Sequence, residues 1–219
     1  HQIALSSQFM REVSFDIESS LIKRNYNVNS YIFITGLARS GSTALLNALY
    51  KSERFASLSY ADMPFVLATN IWSKVILKNR NNKEVERAHG DGIKISTNSP
   101  EAFEEVFWKT FPDYNKKTYK KFKKYLELIT HKCKKKNYLS KNNQNIRRLQ
   151  ILTKILPNAK ILIPFRDPTQ QAYSLLSQHK KFIDASKEDV FVSDYMKWIG
   201  HTEFGPNYIP LCNLNLKYQ

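Results

Sequence analysis

The chain has 219 residues and a formal net charge of +15, because 34 Lys and Arg outnumber 19 Asp and Glu. Its 42% of hydrophobic and 24% of charged residues are typical of a globular domain and exclude a disordered, collagen-like or coiled-coil chain. Two cysteines exclude a disulfide framework and a four-cysteine zinc site, and no apolar run reaches the roughly 18 residues of a membrane span.

Strands and helices alternate along the sequence. In chain order the sequence predicts a helix over 5–22, a strand over 31–35, helices over 42–50 and 66–77, a helix beginning at 99, a helix within 116–136, a strand at 138–139, a helix over 146–156, a strand over 160–165 and a helix over 168–179. This alternation predicts an α/β fold in which helices flank a parallel β-sheet. Such sheets bind ligands at the carboxyl ends of their strands.

A glycine-bounded loop lies between the first predicted strand and the helix that follows it. Residues Gly36–Thr43 read Gly-Leu-Ala-Arg-Ser-Gly-Ser-Thr and have the glycine spacing of a Walker A phosphate loop, with Ser42 where the lysine should stand. Glycine permits tight turns, amides at a helix start bind anions, and Arg39 adds a fork-shaped cation. The loop is a candidate anion site. A plain strand-to-helix turn is the alternative, and the missing lysine disfavours an ATP or GTP site.

Much of the positive charge lies in one segment. Lys116–Lys136 contains ten lysines and one acid, a net charge of +9. Apolar residues at helical spacing within it predict an amphipathic helix: Phe122, Tyr125, Leu126 and Ile129. Its lysines form either a solvated face or a surface that steers a polyanion towards an active site. Since no nucleic-acid-binding motif accompanies them, we expect no specific nucleic-acid partner.

A second cation follows a predicted strand. Arg166 comes directly after the apolar run that begins at Lys160, and Ser174 lies eight residues later, about two turns into the next helix. The two side chains can hold one phosphate between them. Alternatively, Arg166 pairs with Asp167, and Ser174 is simply part of the helix interior.

Three segments together resemble the sulfotransferases that use 3′-phosphoadenosine-5′-phosphosulfate (PAPS). Gly36–Thr43 looks like the family's 5′-phosphosulfate loop in its Arg-Ser-Gly-Thr-Thr form. Leu156–Pro168, followed by Ser174, looks like the 3′-phosphate motif. Tyr138–Asn142 is similar to the lysine-containing segment of Arg-Ser-Gly-type members, which include bacterial and protein-tyrosine sulfotransferases.

The resemblance implies a P-loop-like three-layer core and transfer of a sulfuryl group from PAPS to a hydroxyl or amine acceptor. The transfer would be an in-line displacement that leaves adenosine 3′,5′-bisphosphate and needs no metal. Arg166 and Ser174 would hold the 3′-phosphate, and Lys141 and Arg39 would lie at the transferring group. The residues implied for phosphosulfate binding are Ala38, Arg39, Ser40, Gly41, Ser42 and Thr43.

The catalytic base is a separate question, because sulfuryl transfer to a hydroxyl requires that a proton leave the acceptor. Asp62 is the first choice, since it lies roughly where the similar protein-tyrosine sulfotransferases carry a catalytic Glu. The alternatives are Glu104, Glu105 and His89. Glu101 is interpreted as a first-turn acid that complements a helix dipole.

We expect one sulfotransferase-like domain over residues 1–219, short at its C-terminal end for the family it resembles. The acceptor is open among carbohydrate or other polyanion, peptide tyrosine, lipid, and small alcohol or phenol. We expect a cytoplasmic protein, although a chain that opens with His1 leaves a removed signal or anchor open. The competing functions are a P-loop-like nucleotide kinase and a basic polyanion-binding module without catalysis.

Overall fold

A computed structural model describes residues 2–22, 26–75, 84–86 and 92–211. The strands in this part of the chain are β1 (Ser30–Ile34), β2 (Phe55–Ala56), β3 (Val85–Glu86), β4 (Lys94–Ile95), β5 (Asn137–Lys141) and β6 (Lys160–Leu162). Four of them form a parallel sheet in the order β2-β5-β1-β6, and β3 pairs with β4 in a separate antiparallel pair.

Helices surround the four-stranded sheet. They are α1 (Gln2–Ser6), α2 (Gln8–Leu21), α3 (Ser42–Tyr50), α4 (Thr69–Val75), α5 (Glu105–Thr110), α6 (Lys116–Cys133), α7 (Leu149–Ile155), α8 (Pro168–Glu188) and α9 (Val190–Ile199), with 3-10 helices at Tyr60–Asp62 and Asn143–Arg148. The predicted α/β class with a parallel sheet is confirmed. Within the described part of the chain, no helix has the length and apolar character needed to cross a membrane.

The register of the central strands decides where functional residues emerge. Ile34, the last residue of β1, lies beside Lys141 at the end of β5 and beside Leu162 at the end of β6. Because all three strands are parallel, the segments that follow them leave the sheet at one edge. The glycine loop after β1, Lys141 and the segment leading to Arg166 are therefore brought to the same edge.

The basic segment forms the predicted amphipathic helix, α6. Its apolar face is almost completely buried: Phe122, Tyr125, Leu126 and Ile129 are each at most 1% exposed. The ring of Phe107 stacks on Tyr125 at a centroid distance of 5.0 Å, which joins α6 to the core. This burial, at about 1.5–3 kcal/mol per large apolar side chain, fixes the helix and leaves its lysines on the other faces.

One predicted element begins later than expected, and the difference matters for the site. The sequence predicts a helix that starts at Ser99, but α5 begins at Glu105. An isolated bridge between Ser59 and Pro100, with a backbone hydrogen bond of 3.0 Å from Glu101 N to Leu58 O, holds this stretch extended instead. The extended stretch carries the Glu101 side chain to the carboxyl edge of the sheet.

Candidate active site

A cleft lies at the carboxyl edge of the sheet, where α/β folds usually bind ligands. It is built from the loop after β1, the start of α3, the ends of β5 and β6, and two later loops. The described residues that line it are Ala38, Arg39, Gly41, Ser42, Thr43, Ala44, Ile93, Glu101, Lys141, Asn143, Arg166, His201 and Phe204.

The glycine loop has the backbone form that an anion site needs. Gly36, Arg39 and Gly41 have positive φ angles of 136°, 68° and 91°, so the loop curls tightly between β1 and α3. Gly41 is the N-cap residue of α3, and it offers no side chain to the amides of the first turn. These amides and the helix dipole create a positive potential directed into the cleft. The hydroxyls of Ser42 and Thr43 lie beside them.

Arg39, Arg166 and Ser174 come together at one side of the cleft. Arg166 Nη1 donates to Arg39 O at 3.3 Å, and Arg39 Nε donates to Ser174 Oγ at 3.1 Å. Ser174 thus contacts Arg39, whereas the sequence predicts that Ser174 and Arg166 hold one phosphate between them. Asp167, the alternative partner of Arg166, caps α8 by accepting from Gln170 N at 2.9 Å.

Lys141 is a buried cation that faces the cleft. The residue is only 6% exposed, and its ammonium makes no hydrogen bond or ion pair with any described residue. Burying a charge is costly unless an opposite charge compensates it. The amide oxygen of Asn143, also in the cleft lining, is likewise buried without a hydrogen-bond partner in the described part of the chain. Both groups fit a cleft that holds a polar, anionic ligand.

Glu101 provides the carboxylate of the cleft. Tyr60 OH donates to its Oε2 at 2.8 Å, and Ala102 N donates to its Oε1 at 2.8 Å. These two hydrogen bonds orient the carboxylate at the wall of the cleft. The sequence gives no signal for this placement, because it depends on the long-range bridge between Ser59 and Pro100.

His201 and Glu203 form a pair of ionisable side chains at the cleft. His201 Nδ1 lies 2.6 Å from Glu203 Oε2. Burial by itself would raise the pKa of Glu203, but His201 and then Lys141 outweigh it and lower this pKa to about 2. Glu203 is therefore a carboxylate at neutral pH, and it holds the imidazole in the cleft wall.

The structure does not bring Asp62 to the cleft. Its carboxylate is 1% exposed and accepts from Lys132 Nζ at 2.6 Å and from Ser59 N at 2.8 Å. The side chain caps the 3-10 helix Tyr60–Asp62 and pairs with α6, which is a structural arrangement. The first choice of base therefore lacks support from its position.

Two of the other predicted bases, Glu104 and Glu105, are not in the cleft lining either. Glu104 is 1% exposed and accepts hydrogen bonds from Tyr138, Ser140 and Asn145. Glu105 pairs with Arg148; burial raises its pKa, and this charge partner opposes the rise without cancelling it. His89 lies outside the described residues.

The lysines of α6 also lie elsewhere. None of the described residues that line the cleft belongs to this helix. Lys132 neutralises Asp62, and Lys121 pairs with Asp16 at 2.9 Å while its ammonium sits 4.2 Å above the Phe111 ring. Part of the basic segment thus serves packing, and its proposed steering of a polyanion gains no support from the cleft.

Comparison with known families decides what this arrangement is. The model of the sulfotransferase family matches residues 31–201, which include the glycine loop, Lys141, Arg166 and His201. The chain belongs to the sulfotransferase family. Family membership and fold support sulfuryl transfer as its activity, and sulfotransferases generally use PAPS. No curated protein matches the sequence.

Two solved sulfotransferases have similar folds. Sulfotransferase STF1 from Mycobacterium tuberculosis H37Rv superposes with a TM-score of 0.59 at 12% identity, over 93% of this chain and 69% of that one. Sulfotransferase STF9 from Mycobacterium avium gives 0.52 at 14% identity, over 92% and 65%. These likenesses confirm the P-loop-like α/β fold. This sulfotransferase chain spans about two thirds of their length.

No group of three or more His, Cys, Asp or Glu side chains in the described ranges is arranged to hold a metal ion. The expectation that this sulfotransferase needs no metal stays a prediction.

Proposed function

We propose that this chain transfers a sulfuryl group from PAPS to a hydroxyl or amine acceptor in the cleft at the carboxyl edge of the sheet. One observation carries the proposal: the buried Lys141 faces this cleft, and within the described part of the chain its ammonium makes no direct ion pair. The start of α3 and the two arginines surround the same space, so the site suits a ligand with several negative charges.

The binding roles follow from position. The loop from Ala38 to Thr43 would bind the phosphosulfate through its amides and hydroxyls. Arg166, whose guanidinium donates to Arg39 O, would bind the 3′-phosphate. Ser174 would act through Arg39, because its hydroxyl accepts from that guanidinium and fixes its direction.

When bound, PAPS supplies the sulfuryl group, whose bond to the bridging oxygen breaks as the bond to the acceptor oxygen forms. Glu101 would take the proton of the acceptor, since it is the carboxylate among the described residues that line the cleft. Lys141 and Arg39 would stabilise negative charge on the bridging and equatorial oxygens, as in phosphoryl transfer. Glu101 replaces Asp62 as the proposed base.

Thermal unfolding with nucleotides tests the proposal. A ligand at 100 times its Kd stabilises a protein by about 2.7 kcal/mol, which corresponds to a rise in Tm of roughly 5–11 °C for a domain of this size. We expect this shift with adenosine 3′,5′-bisphosphate and none with ATP and Mg²⁺. The reverse pattern would support the nucleotide kinase. Salt-sensitive heparin binding without a response to either nucleotide would support the polyanion-binding module.

Arg166→Ala should separate the two phosphate sites. Loss of one charge-assisted contact costs about 1.5–3 kcal/mol, so the affinity for adenosine 3′,5′-bisphosphate should fall about 10–100-fold. The affinity for adenosine 5′-phosphate should change less than about threefold, since that ligand has no 3′-phosphate. Calorimetric titration measures both, with Lys180→Ala on the exposed face of α8 as the control. Equal losses for both nucleotides would remove Arg166 from this role.

A single domain over residues 1–219 and a cytoplasmic location also stay predictions.

A further inference from the structure

A second cavity adjoins the cleft. It lies between the stretch before α5, helices α8 and α9, and the loop after them. Glu101, His201 and Phe204 line both the cleft and this cavity. The proposed base thus stands at the boundary between the two spaces.

The walls of the second cavity are apolar and aromatic. Buried side chains form its floor, while Val192 and Tyr195 on α9 are half-buried and Phe191 is 48% exposed at its outer side. The described lining consists of Tyr60, Ile95, Glu101, Ala102, Phe103, Phe182, Phe191, Val192, Tyr195, Met196, Ile199, His201 and Phe204. No Lys or Arg is among these described residues, and burial raises the pKa of Tyr195, which keeps its phenol neutral.

We propose that this cavity is the acceptor site and that the acceptor is a hydroxyl carried on an uncharged apolar body, preferably a phenol. This inference rests on the proposed function. The apolar body would fill the cavity, and the hydroxyl would point to the shared wall, within reach of Glu101 and the cleft. Each Å² of apolar surface that leaves water contributes about 25 cal/mol, so these walls favour such a body.

Charge separates this acceptor class from a polyanionic carbohydrate. Recognition of a sulfated or uronic-acid glycan needs cations along the acceptor path. Among the described residues that line the cavity, the ionisable groups are instead one carboxylate, one imidazole beside Glu203, and the phenols of Tyr60 and Tyr195. The described lining of this cavity therefore offers no Lys or Arg to an anionic acceptor.

Aromatic groups at the outer side of the cavity favour a flat acceptor. The ring of Phe191 stacks on that of Tyr195 at a centroid distance of 5.8 Å and meets Trp198 edge-on at 5.9 Å. Such rings contribute about 0.5–1.5 kcal/mol per aromatic contact beyond buried area.

The test uses 2-naphthol as the probe, with a matched pair of substitutions on α9. Val192→Trp fills the cavity, whereas Val190→Trp adds the same ring at a residue that is 70% exposed and not in the described lining. We expect 2-naphthol to bind in the presence of adenosine 3′,5′-bisphosphate, measured by its fluorescence. Val192→Trp should raise its Kd, and its KM in PAPS-dependent transfer, by about tenfold or more, and Val190→Trp by less than about twofold.

A second variant provides a test that does not depend on correct folding of Val192→Trp. Phe191→Ala removes a half-exposed ring without disturbing the buried floor, and it should weaken 2-naphthol binding about three- to tenfold while adenosine 3′,5′-bisphosphate binds normally. Failure of 2-naphthol to bind a chain that binds the nucleotide, or equal effects of the two tryptophans, would overturn the inference and leave the proposed function standing. Sulfation of a desulfated heparin oligosaccharide with a KM that ignores Val192→Trp would also overturn it. Absence of nucleotide binding would overturn both.

Discussion

Glu101→Gln should lower kcat about 10²–10⁴-fold, the usual contribution of a positioned general base. Gln has the same size; its amide oxygen can still accept from Ala102 N, and its NH2 group can donate to the Tyr60 hydroxyl, which both donates and accepts, so the extended stretch should keep its shape. The Kd for adenosine 3′,5′-bisphosphate should change less than about twofold, because the variant keeps all three cations of the cleft. Steady-state kinetics with labelled PAPS and calorimetric titration measure the two quantities.

Asp62→Asn is the matched comparison, because it makes the same carboxylate-to-amide change at the base that the sequence favours. It leaves Lys132 without its charge partner, so the free energy of unfolding should fall by up to about 3 kcal/mol. The kcat should stay within about twofold of the wild type, since the side chain is buried outside the cleft lining. If Asp62→Asn abolishes turnover in folded protein while Glu101→Gln does not, the assignment of Glu101 is wrong.

Lys141→Met should have the second large effect: it should lower the activity and raise the stability of the unliganded protein. Loss of a preorganised charge in the cleft should lower kcat about 10²–10³-fold. Removal of a buried cation that has no ion pair in the described part of the chain should also stabilise the unliganded protein, because the relief of its desolvation cost should exceed the loss of its attraction to Glu203, whose main charge partner is His201. We expect a rise in Tm of about 2–4 °C for each kcal/mol gained.

Lys160→Met is the control for this substitution. Lys160 is an exposed residue at the start of β6, at the opposite end of that strand from the cleft. Its replacement should change neither kcat nor Tm appreciably. A Lys141→Met protein that turns over normally would show that this cation does not act on the transferring group. A protein that is strongly destabilised would show that Lys141 has a structural partner.

The elements that could be predicted from the sequence are those set by local patterns. The apolar run before Gly36 and the short run Tyr138-Leu139 before Lys141 identify two buried strands, and parallel pairing then places the residues after them at one edge. Helix α6 could be predicted because its apolar residues repeat at helical spacing. The glycine loop, Lys141 and Arg166 therefore reached the same cleft as expected.

Contacts between distant segments could not be predicted in this way. A Ser-Pro-Glu sequence is typical of a helix start, yet pairing with Ser59 keeps Glu101 extended and turns it into a residue of the cleft. Asp62 is paired with Lys132, 70 residues away, and no local pattern joins the two. His201 reaches the cleft because α9 ends at Gly200, whose φ of 78° turns the chain, and the imidazole then meets Glu203.

Transfer of radioactive sulfur from PAPS is the most direct test of sulfuryl transfer in this cleft. In separate reactions, the chain and ³⁵S-labelled PAPS are incubated with one acceptor each. The acceptors are 2-naphthol, aliphatic alcohols, a tyrosine peptide and a desulfated heparin oligosaccharide. We predict a labelled organic product, formed in equal amount to adenosine 3′,5′-bisphosphate and lost in Glu101→Gln. Two results together would contradict the proposed function. PAPS would remain unchanged with every acceptor, and the chain would be stabilised by ATP and Mg²⁺ but not by adenosine 3′,5′-bisphosphate.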